Sequence, residues 1–541
     1  MSDSTASAVP SPGPLPGAVK ALAAGFFLVC LAIQIWRLET LSATYDQALF
    51  LQELWSTAQG RLFESSLSSV LSGAVAVGDA LPWVDYLHLG QHANALTLLI
   101  APLVLFAGSW ALPFVQVSAL TAAGLVLWRI AVKRLPLALA QRITVAYYLS
   151  GAVIGPALEN FHDLIWLPLL GFLVVEALQE RRSIQLVGCA VLLLLVREDS
   201  GLLLFSLGLW ALVRRPGIRW WGVGLMVLAV AWVSLVTGWI QPLVDSSLSD
   251  RFLAEKFGHL VADPSVGTVG VVVAMLRNPV GLVQALVSPP GATLGFLLAL
   301  SLPLLLIPLV SVDAALLLAV PLLVALVSQG RTALAVTLRY VLALVPGLYL
   351  GAVLWWEAHP QIWYCKGIRP LWTSAVTLGL VLTLVGNPHR SLSAFVPDSF
   401  VPWVHVPPQA MLQRRTDALQ ALALIPSGAS VSADTPLLPR LAQREVAIRF
   451  PDGVRYLDRR GVERQVDWVV AFPGFYTPFT PLFKRETNQQ ERILRDLDAL
   501  VMSGDYQRRY CARGLVVLQR VDGTMQAQMA NSGSATDCLE R

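Results

Sequence analysis

Charge is scarce in this sequence. Lys, Arg, Asp and Glu make up 14% of the 541 residues and apolar residues 55%, where a soluble globular chain carries roughly a quarter charged residues. The deficit is uneven: of the 39 basic and 35 acidic residues, 34 lie in the last 144 positions, from Asp398 onward. Cysteine is also sparse. The five cysteines form no CxxC and no metal-ligand spacing, which excludes a zinc ribbon or a thioredoxin-type redox pair. The net charge of +4 comes with no basic stripe interleaved with aromatics, so no nucleic-acid partner is expected. Residues 1–17 (MSDSTASAVPSPGPLPG) have no basic n-region and read as a disordered tail rather than a secretory signal.

What remains is apolar runs. The first, Ala18 to Trp36, nearly matches a hydrocarbon core of about 30 Å at 1.5 Å per residue. Ten more candidate spans follow at 111–132, 137–157, 163–180, 183–197, 200–213, 218–240, 291–310, 312–328, 339–357 and 371–387. The stretch 93–107 is short and contains Pro102, which suits a re-entrant or interfacial segment. Short cytoplasmic loops carry the excess of Lys and Arg. Leaving 93–107 out of the count brings four basic loops to one side: Lys133, Arg134 and Arg142; Arg181 and Arg182; Arg214, Arg215 and Arg219; Lys366 and Arg369. The expected fold is therefore an α-helical polytopic membrane protein of about eleven transmembrane helices. Its N-terminus is expected in the cytoplasm, and an extracytoplasmic α/β domain follows at the C-terminal end. The expected boundaries are a tail at 1–17, the membrane domain at 18–397 with a first outer loop at 38–110, the outer domain at 398–521 and a disordered tail at 522–541.

This topology gathers unusual polar residues on the outer face. Arg197-Glu198-Asp199 stand out, because only about 14 residues separate them from Arg182 and from Arg214. Helical arms of roughly 21 Å leave that tip below the outer membrane surface. Charges at such depth are costly unless they are paired or line a wet cavity. The two readings are a binding site and a self-neutralising salt bridge with Asp199 as N-cap. Asp46, Phe50 and Glu53 share one face of an expected helix in TYDQALFLQELW, whose other face (Ala48, Leu51, Trp55) would suit the bilayer surface. His88 and His92 are spaced i, i+4, and Phe161-His162-Asp163 sets a His beside a carboxylate, fit for a metal ligand or base as well as for a boundary residue. Arg331, Arg339 and Tyr340 fall at the outer ends of two spans.

The C-terminal region reads as strands at 429–433, 446–450 and 466–472, a helix opened by Thr487-Asn488-Gln489-Gln490 and ended at Gly504, and a hairpin from Tyr506 to Arg520. It contains no GxGxxG, P-loop or GxSxG, so recognition or lid duty is expected of it. Cys511 and Cys538 both fall outside, and their pairing is left open.

Taken in order, several pieces match a family. They are Tyr45-Asp46-Gln47 with Trp55 and Gly60-Arg61, His92, Pro102, Phe161-His162-Asp163, Arg197-Glu198-Asp199-Ser200-Gly201, GASVSADTPLLPRLAQR and the following VAIRFP. From about 40 to 520 the chain resembles a group of bacterial multi-spanning proteins, domain of unknown function 2079, which are similar to the GT-C glycosyltransferases. The resemblance implies sugar transfer from a polyprenyl-phosphate donor at the outer face of the bacterial plasma (inner) membrane, with membrane lipid as surroundings. In such enzymes an acid in the first outer loop is the base or binds a divalent metal such as Mg or Mn. That role would fall to Asp46, with His162 and Asp163 in the second outer loop. The substrate would meet Arg197, Glu198, Asp199, His92, Arg331, Arg339 and Tyr340, the arginines facing the donor phosphate. Gln47 follows Asp46, so the DxD or Asp-Glu pair of many GT-C enzymes is missing. The rival class is a non-enzymatic carrier or envelope assembly factor, although the internal repeats expected of a carrier are not evident.

Overall fold

The computed structural model describes residues 15–76, 78–261, 267–329, 332, 334–480, 482–521 and 534–540. Arg331, and most of both expected terminal tails, lie outside the described residues.

The fold is mostly helical. Among the described residues, four helices are long and apolar enough to cross a membrane: Gly17–Glu39, Ala95–Val132, Pro216–Ser246 and Ile368–Val385. Two bent pairs, Leu137–Tyr148 with Gly151–Leu158 and Pro279–Leu286 with Pro290–Leu304, raise the number to six if each is one span. Shorter apolar helices occupy Ser183–Leu194, Ser200–Arg214 and Val312–Val327.

Those that position the site are α1 (Gly17–Glu39), α2 (Tyr45–Ala58), α3 (Ala101–Ala107), α4 (Ala111–Val132), α5 (Leu137–Tyr148), α6 (Gly151–Leu158), α7 (Trp166–Gln179), α8 (Ser183–Leu194), α9 (Ser200–Arg214), α10 (Arg219–Leu235), α11 (Gln241–Phe257), α12 (Val312–Val327), α13 (Val345–Ala358) and α14 (Ile368–Val385). Their apolar faces make one large core, from Val19 and Phe26 through Tyr147 and Trp210 to Trp356 and Trp372.

One end of the bundle collects the basic loops and neutralises them. Lys133 Nζ lies 2.9 Å from Glu176, Arg134 2.7 Å from Glu357 and Arg214 3.1 Å from Asp313. Arg142 donates to Thr373 Oγ1 at 2.7 Å.

At the other end sits a mixed five-stranded sheet. Its strands are β3 (Val431–Asp434), β4 (Ala447–Phe450), β7 (Trp468–Ala471), β8 (Tyr506–Ala512) and β9 (Leu515–Arg520), in the order β4-β3-β7-β9-β8. The two-residue strands β1 (Ser399–Phe400) and β2 (Trp403–Val404) form a separate hairpin, as do β5 (Arg455–Leu457) and β6 (Glu463–Gln465). Strand alternation gives the sheet two apolar faces. Val431, Ala433, Val470 and Val517 join the core of α2, α3 and the start of α4. Val469, Ala471, Val516 and Leu518 pack on Ile493 and Leu497 of a helix at Lys484–Met502. That helix starts before Thr487 and has no side-chain cap, so the expected capping box is not what opens it.

Two expectations are corrected here. The α2 helix does not lie on the bilayer surface: Ala48, Leu51, Leu54 and Glu53 are all completely buried, because the sheet covers the face that the sequence left for lipid. The region after 398 is also tied to residues 38–110 by hydrogen bonds. Gln52 Nε2 donates to the Arg444 carbonyl at 3.0 Å, Ser66 Oγ to the Ala447 carbonyl at 2.9 Å, and Leu457 N to the Pro82 carbonyl at 2.8 Å. Within the span expected as a disordered tail, Ala535 and Cys538 are buried against the sheet and Cys538 is disulfide-bonded to Cys511.

Candidate functional site

The site begins with an unwound helix end. Helix α6 is apolar and carries Pro156, and the chain leaves helical geometry at Glu159. Its last carbonyls would be stranded in the bundle without partners. Polar side chains from two neighbouring spans meet them. Gln34 Nε2 donates to the carbonyls of Ala157 (2.7 Å) and Glu159 (2.6 Å), and Gln116 Nε2 to those of Pro156 (2.8 Å) and Glu159 (3.0 Å). Arg37 donates to the Leu158 carbonyl and, at 3.2 Å, to Asn160 Oδ1. From α2, Gln47 Oε1 accepts from Phe161 N at 2.8 Å. The loop 157–161 is thereby held rigidly, with Glu159 facing outward. Sequence reading missed Gln34, Arg37 and Gln116; the available signal was an amide and a cation inside otherwise apolar spans.

Around this loop a first network forms. Arg339 Nη1 lies 2.7 Å from Asp46 Oδ2 and 3.2 Å from Glu159 Oε1, and its backbone N donates to Glu159 Oε2 at 2.7 Å. Two carboxylates thus share one guanidinium, the planar fork suited to that task. Burial pushes the Glu159 carboxyl up to about 7, with Arg339 opposing the rise. Glu159 is the centre of this network. His162 is fully buried, with Glu159 3.9 Å away, and neither ring nitrogen makes a close hydrogen bond.

A second network surrounds Arg197. Its guanidinium grips Asp199 through Nε (2.8 Å) and Nη2, and lies 3.8 Å from Asp163 and 3.9 Å from Glu198. Glu198 in turn bonds His92 Nδ1 at 2.9 Å and Ala93 N at 3.0 Å. Asp199 does not cap α9 with its side chain, since Arg197 holds it. Gly201 allows this tip to sit tightly on α10: a Cβ there would come within 2.6 Å of Val233 and 3.0 Å of the Ala229 carbonyl. Deeper in, Glu53 accepts from Asn94 at 3.1 Å and lies 3.9 Å from His88, which bonds Ser68. Burial holds the Glu53 carboxyl well above its ordinary range.

A partly open cavity of about 120 Å³ adjoins the Arg197 network and approaches the first network at Tyr340. Arg197, Asp199, Lys256 and Tyr340 line its polar side, and Phe296 and Val324 are among its apolar walls. Tyr340 is the link, because the Arg339 guanidinium lies 5.5 Å and the Lys256 ammonium 5.8 Å from its ring centre. Asp46, His162, Asp163, Glu198, His92 and Arg339 are not among the lining residues. Of Asp46, His162 and Arg197, only Arg197 lines this cavity. Asp46 is about a third exposed, while His162 is sealed in behind Glu159.

A family profile described as "Predicted membrane protein (DUF2079)" matches residues 37–517. The chain belongs to this family. No curated protein matches it. The DUF2079 match runs from Arg37 through both networks and nearly the whole sheet, so loop, bundle and sheet belong to one family unit.

The divalent metal implied by the GT-C resemblance finds no fitting donor set. Among the described residues no group of three or more His, Cys, Asp or Glu is arranged to hold a metal ion, and the Asp46 carboxylate is committed to a guanidinium.

Proposed function

We propose that this DUF2079 protein is a glycosyltransferase of GT-C type. It acts at the extracytoplasmic face of the plasma membrane on a polyprenyl-phosphate-linked sugar, with about eleven membrane crossings and the sheet-bearing C-terminal domain outside. The observation that carries the reading is a cavity with apolar walls and a polar side of Arg197, Asp199, Lys256 and Tyr340, near two carboxylates that share an arginine. An isoprenoid tail suits the walls, and its phosphate would exchange with Asp199 on the Arg197 guanidinium, which fits either anion.

The topology has its own support. Glu39, the last residue of α1, lies 2.6 Å from Arg415 and 2.9 Å from Arg440, so the outer end of α1 and the C-terminal domain share a side. The basic loops are at the opposite end, as the positive-inside bias requires. The disulfide Cys511–Cys538 suits an oxidising compartment, whereas Cys365, exposed at the basic end, is free. Helix α3 fits an interfacial segment: Leu103 and Phe106 are exposed along it, and Gly108 takes a positive φ before α4.

In the transfer step an acceptor hydroxyl oxygen bonds the anomeric carbon and the bond from that carbon to the phosphate oxygen breaks. The electron pair leaves with the lipid phosphate, and the hydroxyl proton passes to a carboxylate. Asp46, the more exposed of the pair, is the base, and Glu159 holds Arg339 in place beside it. Arg339 contacts Asp46 through Oδ2, which leaves Oδ1 to take the proton.

The test uses full-length protein in nanodiscs with polyprenyl-phosphate-linked hexoses and an acceptor extract, scoring released polyprenyl phosphate by mass spectrometry. Asp46→Asn should cut release by about 10²–10⁴ while leaving insertion intact, as expected for loss of a general base. Full activity in Asp46→Asn would refute the assignment. Tight donor binding with no release in wild type would favour a carrier.

A further inference from the structure

The segment that joins the last span to the sheet carries an unusual surface. Residues 395–406 read FVPDSFVPWVHV. Strands β1 and β2 pair antiparallel across a two-residue tip, Val401-Pro402. Phe395 is 83% exposed, Val401 89%, Trp403 66% and Phe400 53%. Phe400 and Trp403 pack edge to face at 6.1 Å, so their exposure is fixed by the hairpin itself. The opposite face is anchored: Val404 and Val406 are buried with Met411 and Phe479, and Trp36 of α1 packs against this group.

The charges of the stretch are turned away from the exposed face. Asp398 accepts from Ser393 Oγ at 2.8 Å and lies 3.9 Å from Arg390, and its side chain is completely buried. His405 sits beside the Trp403 ring, 6.2 Å between centres. The tip therefore offers only aromatic, aliphatic and proline surface, an uncommon composition for a face left in water.

Its height is set by its neighbours. After α14 ends at Val385, Ser391 Oγ donates to the Leu158 carbonyl at 3.0 Å, and His389 Nε2 lies 2.8 Å from the Thr337 carbonyl. Trp36, near the end of α1, packs against the anchored face of the hairpin, so the hairpin stands level with that end of α1. The exposed strip of α14, formed by Leu378, Val381, Leu382 and Val385, ends ten residues before Phe395 in the chain.

We propose that the β1–β2 hairpin inserts into the outer leaflet and pins the C-terminal domain to the bilayer. Lipid is the occupant because the patch is anchored on Trp36, at the end of the apolar span α1. It also stands at the boundary depth that Trp favours and presents no charge for a protein partner to pair. Residues 395–403 then belong with the membrane part of the chain, although their neighbours in sequence are soluble. The inference is independent of the transferase reading.

The test uses full-length protein with Cys365→Ser, so that the exposed free thiol is gone and the Cys511–Cys538 bond is kept. Val401→Cys, and separately Phe395→Cys, are labelled with an environment-sensitive fluorophore and reconstituted into phosphatidylcholine vesicles. Ser427→Cys, on an exposed turn of the same domain, is the aqueous reference. The expected result is blue-shifted emission at 401 and 395, quenching by nitroxide phospholipid and protection from aqueous iodide, with the reverse at 427. Iodide quenching at 401 and 395 equal to that at 427 would overturn the proposal. So would a blue shift that follows protein concentration and ignores nitroxide lipid, since that would mark a second copy as the occupant.

Discussion

Arg339 is the residue on which the outer site turns, because it neutralises Asp46 and Glu159 together. Removing one partner of a buried ion pair costs about 3–5 kcal/mol, and the partial exposure of Asp46 moves the expectation to the low end of that range. Arg339→Met should therefore lower thermal stability clearly, and the double variant Arg339→Met with Glu159→Gln should recover part of the loss. No recovery would mean that Arg339 acts through packing rather than charge. Asp434 gives a second test at this scale. Its carboxyl ends β3, accepts from Tyr476 Oη (2.7 Å), Thr435 N (2.7 Å) and Phe472 N (3.3 Å), and is pushed by burial up to about 7. A raised acid binds more protons folded than unfolded, so its contribution is complete below about pH 4 and is lost as pH rises through about 7. Stability of the C-terminal domain should fall across that window, and Asp434→Asn should flatten the slope. An unchanged slope in the variant would assign the pH dependence elsewhere.

Among the elements, α6 has the least freedom. Gly155 faces the Thr337 backbone so closely that a Cβ would overlap it, and Thr337 leads directly to Arg339. Gly155→Ala should cost about 1–3 kcal/mol as overpacking. Because it shifts the segment that carries Arg339, it should also reduce the proposed transfer more than Gly188→Ala, where a Cβ has open space. Equal activities would separate this helix contact from the site. At the far end of the chain, the Cys511–Cys538 bond closes a loop with a sequence separation of 27. Loop-closure entropy puts its value at about 3–4 kcal/mol. Cys511→Ser should thus lower the unfolding temperature of the C-terminal domain without abolishing transfer. Full loss of activity in a folded Cys511→Ser protein would give the thiol a role that nothing around it supports.

For the whole molecule, the reading of two sides is testable in intact cells. A cysteine at Ser427 should react with a membrane-impermeant thiol reagent, while Cys365 should react only after lysis. The opposite pattern would invert the topology.

The membrane character was legible because hydrophobic runs and a charge break at 398 are one-dimensional properties of the chain. So were the strand sites at 431–434, 447–450 and 468–471 and the closing hairpin, which are short, largely apolar runs between turn signals. Asp46, Arg197 and Arg339 stood out as charges at span ends, where each must find a partner or water. What the partners are was decided only in three dimensions. Asp46 meets Arg339 across 293 residues, and Gln34 caps carbonyls more than 120 residues away. The burial of α2 beneath the sheet depends on the same closure: its second apolar face looks like a lipid face until the C-terminal strands fold onto it. Local pattern says which groups cannot be left in hydrocarbon. Only the packed bundle says which of the many available partners stands within hydrogen-bonding reach, because that depends on helix breaks and crossings set by side chains far apart in sequence.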